Sequence, residues 1–423
     1  MQKMAIQMIR KFFLFFISFF ILSFASTAFA QQAQIDEYSK FLKSNGTDPV
    51  EYFVNLFDNH KIVVFCESWH PEMTQYEFLG KVIRHPKFIK NVRAVFTEIG
   101  SSSQQHKMNE FLKSDSLNDG YLIDINRENT LHPTGWPNKN IILFWTELWK
   151  VNSTLGENDK VWAYLSDIEW NWKSLRTKND YDKLIKSRDV KYRDQAMARI
   201  IIEKIDEIEK NISSDKNVKN KFLVVMNTRH ALGMVTQRTY DTSGMAKYPR
   251  EEQFGDNTCC WLKQYYGQKQ VFNVFYHQAK AYASGFFLIQ KGKWDTAFKL
   301  NGYKPVGFDL KDSPFGNDAF DYHSGFHTSS YAGAFDGFVF YKPLFEHYAI
   351  QAYEGFYHDD NFLKEIERRC YISGRNNVIA KWITEKGVQY LDKELPNSKT
   401  FLYSKDQFER SLKKQVWTAL PRK

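Results

Sequence analysis

Five short apolar runs rich in β-branched and aromatic residues recur along the chain: KIVVFC (61–66), RAVFTE (93–98), KVWAYLSD (160–167), KFLVVMN (221–227) and VFNVFY (271–276). A strand with one wet face alternates apolar with polar residues, whereas a strand covered on both faces reads as a nearly continuous apolar run, as these do. The segments between them supply the cover. TQYEFLGKVIRHPKF (74–88), SQQHKMNEFLKS (103–114) and RDQAMARIIIEKIDEIEKNI (193–212) predict helices, and the last carries Met197, Ile200, Ile201, Ile205 and Ile208 at helical spacing. Strands alternating with helices predict an α/β fold with a mostly parallel sheet flanked by helices.

A sixth strand is expected at GFVFYK (337–342). It follows a segment rich in Gly, Ser and aromatic residues (316–336), expected as a long surface loop of the kind that serves as a lid or binding element. Beyond residue 350, FLKEIERR (362–369), VIAKWITEKGVQYL (378–391) and KDQFERSLKKQV (405–416) predict a helical C-terminal extension. The expected organisation is a leader over 1–30, an α/β domain over 31–350 and an extension over 351–423 packed on that same domain.

The leader carries Lys3, Arg10 and Lys11 before or at the start of an apolar run that begins at Phe12, then Ala28-Phe29-Ala30. A basic start, an apolar core and a small-x-small site predict a secretory signal cleaved after Ala30. The run is short for a bilayer span, which takes about 20 apolar residues. The mature chain is therefore expected to be exported, periplasmic or extracellular, with no integral membrane segment. The formal net charge of +9 falls to +6 once Lys3, Arg10 and Lys11 leave, and acids and bases mix along the whole chain. That balance argues against a nucleic-acid partner. The four cysteines, Cys66, Cys259, Cys260 and Cys370, form no CxxC pair. Export permits a disulfide from Cys370 to one of the adjacent pair, while Cys66 at the end of an apolar run is expected as a buried small hydrophobe.

In open parallel sheets, ligands bind outside the carboxyl ends of the strands. Here the first run leads into Glu67-Ser68-Trp69-His70, the second ends on Glu98, the third leads to Asp167 and Glu169, and the fourth to Asn227-Thr228-Arg229-His230. Any one acid could cap a helix or form a surface pair. Four successive strand ends that deliver carboxylates and imidazoles to one rim are an inventory for general acid/base hydrolysis or for a divalent metal. No Gly-x-Ser-x-Gly elbow, phosphate-binding glycine loop or His-Glu-x-x-His motif is present. His323 and His327, near Asp318 and Asp321, would pair on a metal only in a helix, and the Gly and Ser around them predict a loop. Trp136, Trp145, Trp149, Trp162, Trp170 and Trp172, in a chain that is 17% aromatic, are candidates to line a pocket for a bulky or ring-shaped ligand. The i, i+4 spacing of Trp145 and Trp149 favours helix packing for those two.

A strand into Glu-x-x-His, a helix, and a strand into Glu over Lys61 to Gly100 resembles the erythromycin esterase family and its wider Tiki/ChaN-like relatives. Arg193-Asp194-x-x-Met197-Ala198, Asn227-x-x-His230 and Phe335-Asp336-Gly337 are similar to further elements of that family, in the same order. The chain departs from the pattern at Cys66, where a glycine is usual, at Trp69, where a small polar residue is usual, and at Pro71. The resemblance implies a hydrolase that acts on an ester or related bond in a small-molecule or bulky aromatic or cyclic substrate and needs no cofactor; its export is implied by the leader alone. His70 would activate water, Glu67 or Glu98 would orient it, His230 would be the second imidazole, and Arg193 would stabilise an oxyanion or a carboxylate. The Tiki-like branch implies instead a metal-dependent hydrolase or protease, with His70, Glu98 and His230 as ligands. The ChaN-like relatives imply a protein that binds haem or metal without turnover.

Overall fold

The computed structural model describes residues 31–128, 139–211, 219–233, 236–237, 257–282, 285–322, 326–350, 353, 355–374, 400–401 and 403–415. The leader, Trp136, His323 and the helix expected over 378–391 lie outside these residues. Seven strands form one sheet: β1 (Ile62–Glu67), β2 (Val92–Ser101), β3 (Trp162–Asp167), β4 (Lys221–Asn227), β5 (Val271–Tyr276), β6 (Val306–Asp309) and β7 (Gly337–Phe340). Their order is β3-β2-β4-β1-β5-β7-β6, and every neighbouring pair is parallel except β7 with β6. The fold is α/β, as expected. β6 is an addition to the expected set: it is four residues long, starts after a Lys-Pro pair and contains Gly307, so it lacks the long apolar run that marks the other strands.

The continuous apolar runs arise because both faces of the sheet are buried. Along β1, Val63 and Phe65 enter one core, with Phe53, Phe57, Phe78, Leu79, Met108, Phe111 and Trp145. Ile62, Val64 and Cys66 enter the other, with Ile201, Ile205, Cys259, Leu262, Trp294 and Phe298. The expected helix over 74–88 is two helices, α1 (Met73–Arg84) and a short one at Pro86–Asn91, because Pro86 cannot continue the first. The helix expected over 193–212 forms as α2 (Arg193–Asn211), with Met197, Ile201 and Ile205 buried. Two further helices matter to the site: α3 (Thr228–Ala231) follows β4 directly, and α4 (Thr258–Tyr266) packs on α2, α3 and β5.

Residues 316–322 and 328–336 of the expected loop pack more tightly than a surface loop. Asp318, Tyr331, Ala334 and Phe335 are buried, and Asp318 accepts hydrogen bonds from Tyr38 (2.5 Å) and Trp294 (2.6 Å). Toward the C-terminus, Asp360–Ile372 is tied down by Arg369, which donates to the Arg127 carbonyl, and by Arg368, which donates to the Trp172 carbonyl. Phe408 and Leu412, in the helix Lys405–Gln415, pack on Ile35, Leu288 and Leu344. Among the described residues no helix is long and apolar enough to cross a membrane. All four cysteines are buried.

One backbone irregularity aims the end of β2. Between Thr97 and Ser101 its pairing with β3 slips, so Thr97 faces Leu165 while Ser101 faces Asp167. Such bulges redirect side chains. Gly100 has φ +120°, and a Cβ there would stand 2.3 Å from Leu165 Cδ2. Gly100→Ala is therefore expected to cost about 2–4 kcal/mol, from backbone strain plus overpacking. Gly267 also has positive φ (+89°), but a Cβ there meets nothing within 4 Å. Gly267→Ala should cost only about 1–2 kcal/mol. Urea unfolding of both variants checks the difference.

Candidate active site

The strand order brings the candidates together. β3, β2, β4 and β1 are adjacent, so Asp167, Glu98, Asn227 and Glu67 end side by side, and Glu67 is in register with Asn227. His70 follows in the turn after β1, Arg193 opens α2, and His230 lies on α3, which Asn227 caps by accepting from the Arg229 amide at 3.2 Å. Glu169, the other acid after β3, is exposed.

Glu98 is the centre of this group. Its carboxylate is 4% exposed, yet Oε1 faces three bases: His230 Nε2 at 3.3 Å, Arg193 Nη2 at 3.3 Å and His70 Nε2 at 3.8 Å. Its Oε2 accepts from the Asn227 amide at 2.8 Å. Each base is backed by a different acid. His70 Nδ1 donates to Glu67 Oε2 (2.8 Å), His230 Nδ1 donates to Asp194 Oδ1 (2.8 Å), and Arg193 Nε donates to Asp167 Oδ1 (2.7 Å). An ionised carboxylate accepts only, so Nδ1 of each imidazole carries a proton in every charge state, and Nε2 turns toward Glu98.

The backing acids are themselves fixed. Tyr76 on α1 donates to Glu67 Oε1 at 2.5 Å, the Thr258 amide and hydroxyl both donate to Asp194 at 2.9 Å, and Trp170 Nε1 donates to Asp167 at 3.1 Å. The turn that carries His70 is held along its length. Asn227 Nδ2 donates to the Ser68 carbonyl (2.8 Å), Asn140 to the His70 carbonyl, and the Ile350 amide to the Pro71 carbonyl (3.0 Å). At its end the buried Glu72 carboxylate lies 2.8 Å from His347 Nδ1.

These contacts divide the charges. Burial disfavours a charged His230, but Asp194 and Glu98 outweigh it and push the imidazole up to about 9. Burial likewise opposes charge on His70, and Glu67 and Glu98 reverse the balance, raising it. Burial would raise Glu98, but His230, His70 and Arg193 hold it well below the usual carboxylate range. Asp194 is lowered against the same burial term by His230, the Thr258 amide and Arg193. His70, His230, Glu98 and Asp194 act on one another, so their titrations are coupled.

All five candidates, Glu67, His70, Glu98, Arg193 and His230, thus converge. Tyr76, Asp194, Asn227, Asn140 and Thr258 complete the cluster. Asp194 stands next to Arg193 in the sequence, and Asn227 belongs to a motif already noted, but no local pattern marks Tyr76, Asn140 or Thr258. For a metal, ligand atoms of Glu67, His70 and Glu98 all lie within 4.8 Å of one another. His230, expected in that set, is not part of this group. The tryptophans do not line a pocket together: Trp145, Trp170 and Trp172 are wholly buried in the cores. For the pair His323 and His327, one residue lies outside the described set and the other falls in a two-residue strand, not a helix.

Because folding raises the His230 imidazole, its contribution to stability is complete below about pH 6.5 and is lost as the pH rises through about 9. The shift corresponds to about 3 kcal/mol. The unfolding free energy is expected to fall by up to that amount across the window. His230→Gln should flatten the slope, which denaturant titrations at several pH values will show.

No protein-family model matches the chain, and no curated protein matches its sequence. Among solved structures, it is similar to a protein from Bacillus cereus, with 12% identity, a TM-score of 0.42, and coverage of 72% of this chain and 96% of the other. It is also similar to a succinoglycan biosynthesis protein, with 10% identity, a TM-score of 0.43, and coverage of 73% and 96%. A mutant of the erythromycin esterase EreC in its open conformation matches with 10% identity, a TM-score of 0.43, and coverage of 70% and 96%.

Proposed function

We propose that the protein is a hydrolase that uses His70 and His230 as a base and acid pair against an ester or related bond. The observation that carries this reading is the opposed setting of the two imidazoles. Each is anchored through Nδ1 by its own carboxylate, and each presents Nε2 to the same Glu98 oxygen. Such anchoring fixes the tautomer that a general base needs. Once His70 is deprotonated, its bare Nε2 takes a proton from water, whose oxygen adds to the substrate carbonyl. The resulting oxyanion is stabilised by the cationic Arg193 and His230, and His230 returns a proton to the leaving oxygen. The two imidazoles then re-equilibrate their protons with solvent.

The rate should rise with pH through a value above 6.5, as His70 loses its proton, and fall through about 9, as His230 loses its own. His70→Ala is expected to lower kcat/KM for para-nitrophenyl esters by about 10²–10⁴-fold. Unchanged hydrolysis in that variant would exclude the assignment.

The grouping of Glu67, His70 and Glu98 favours a second reading, a metal-dependent hydrolase. A metal held there would supply a bound water of lowered pKa. Both Glu67 oxygens are already engaged, by Tyr76 and His70, which suits an orienting carboxylate better than a ligand. Chelation with metal analysis separates the two readings: full activity in a metal-free sample supports the first, and loss restored by added metal supports the second. A Soret band in the same sample would point to haem. Export belongs to this proposal as well, and N-terminal sequencing of the secreted protein should begin at Gln31.

A further inference from the structure

The floor of the site is electrically closed, but its mouth is not. Arg193 is neutralised by Asp167 and Glu98. Arg229, the second residue of α3, is exposed, and its Nη2 stands 3.5 Å from His230 Nε2. Among the described residues no acid pairs with it, whereas Asp194 and Glu98 both pair with the neighbouring His230. Exposed and without an acid partner among the described residues, the Arg229 guanidinium is available to an incoming anion. Its fork of donors matches a carboxylate or a phosphate.

The facing lip carries the second observation. Trp69, next to His70, is 40% exposed. The backbone beneath it is fixed, because the Trp69 carbonyl accepts from the Glu72 amide (2.8 Å) and from Gln75 Nε2 (3.1 Å). Asn227 laces the two lips together: its Nδ2 donates to the Ser68 carbonyl, and its Oδ1 accepts from the Arg229 amide. An exposed indole on this fixed backbone offers an apolar face on which a sugar or aromatic ring stacks.

We propose that the site selects a ring-bearing organic anion, with Arg229 receiving a carboxylate or phosphate group and Trp69 stacking the ring beside His70. Only the kinetic part of its test rests on the hydrolase reading. Calorimetric titration of the full mature protein with para-hydroxybenzoate, phenyl phosphate and the neutral para-hydroxybenzyl alcohol measures the selection without turnover. At least one anion should bind about tenfold or more tightly than the alcohol and lose affinity with added salt. The tighter of the two anions identifies the acidic group. Arg229→Gln should remove most of the anion preference, while Trp69→Ala should weaken anion and alcohol alike.

In turnover, Arg229→Gln should lower about tenfold the ratio of kcat/KM for para-acetoxybenzoate to that for its methyl ester. Equal binding of anions and alcohol, or an anion preference that survives Arg229→Gln, overturns the proposal. Charge-selective binding without hydrolysis sustains it and overturns the hydrolase reading; hydrolysis without charge selection does the reverse.

Discussion

A carboxylate taken out of water costs several kcal/mol unless hydrogen bonds and opposite charge replace its hydration, and Glu98 meets that demand at the end of β2. Each base that satisfies it would be a buried charge in turn, so each needs a further acid: Glu67 for His70, Asp194 for His230, Asp167 for Arg193. The result is a lattice in which acids and bases alternate, and removal of any member strands its neighbours. This lattice can close only if β2, β4 and β1 are adjacent, with β3 beyond β2, which is the observed order. The topology of the sheet and the chemistry of its rim answer to one electrostatic requirement.

The parts legible in the sequence are those that repeat or that sit at a fixed place in a repeat. Strands buried on both faces produce continuous apolar runs, and the residues that end them, Glu67, Glu98 and Asp167, inherit their position from the strand. What could not be read depends on contacts between distant segments. Tyr76 reaches Glu67 because α1 folds back over β1, and Thr258 reaches Asp194 from another helix. β6 was hidden because an edge strand of four residues with a central glycine carries too little pattern. The Gly-, Ser- and aromatic-rich segment over 316–336 reads as a long surface loop, yet Asp318 draws Tyr38 and Trp294 to it, and Tyr331 and Phe335 join the core. The tryptophans mislead for a related reason: size and amphipathic character suit a pocket and a core equally, and here Trp170 serves the site through its N–H alone.

The departures at Cys66, Trp69 and Pro71 also acquire physical meaning. Cys66 places a thiol among the core residues under β1, 3.6 Å from the Ala231 carbonyl on α3. Pro71 offers no N–H, but its carbonyl pairs with Ile350 and anchors the turn. Only Trp69 projects outward. The substitutions thus leave the charged floor intact and change what an arriving molecule would touch first.

The buried cysteines carry a consequence for the whole molecule. Burial pushes the Cys259 thiol up to about 12, and burial raises Cys66 as well, so in the native fold neither is exposed nor readily ionised. A thiol reagent can reach Cys66 only when the sheet itself opens. In an oxidising compartment Cys66 and Cys259 of the intact chain would ignore their surroundings, whereas a chain that unfolds even briefly exposes both thiols and risks mispairing. Its lifetime there would be set by the frequency of complete opening, and the rate at which Cys66 is labelled would serve as an internal clock for that event.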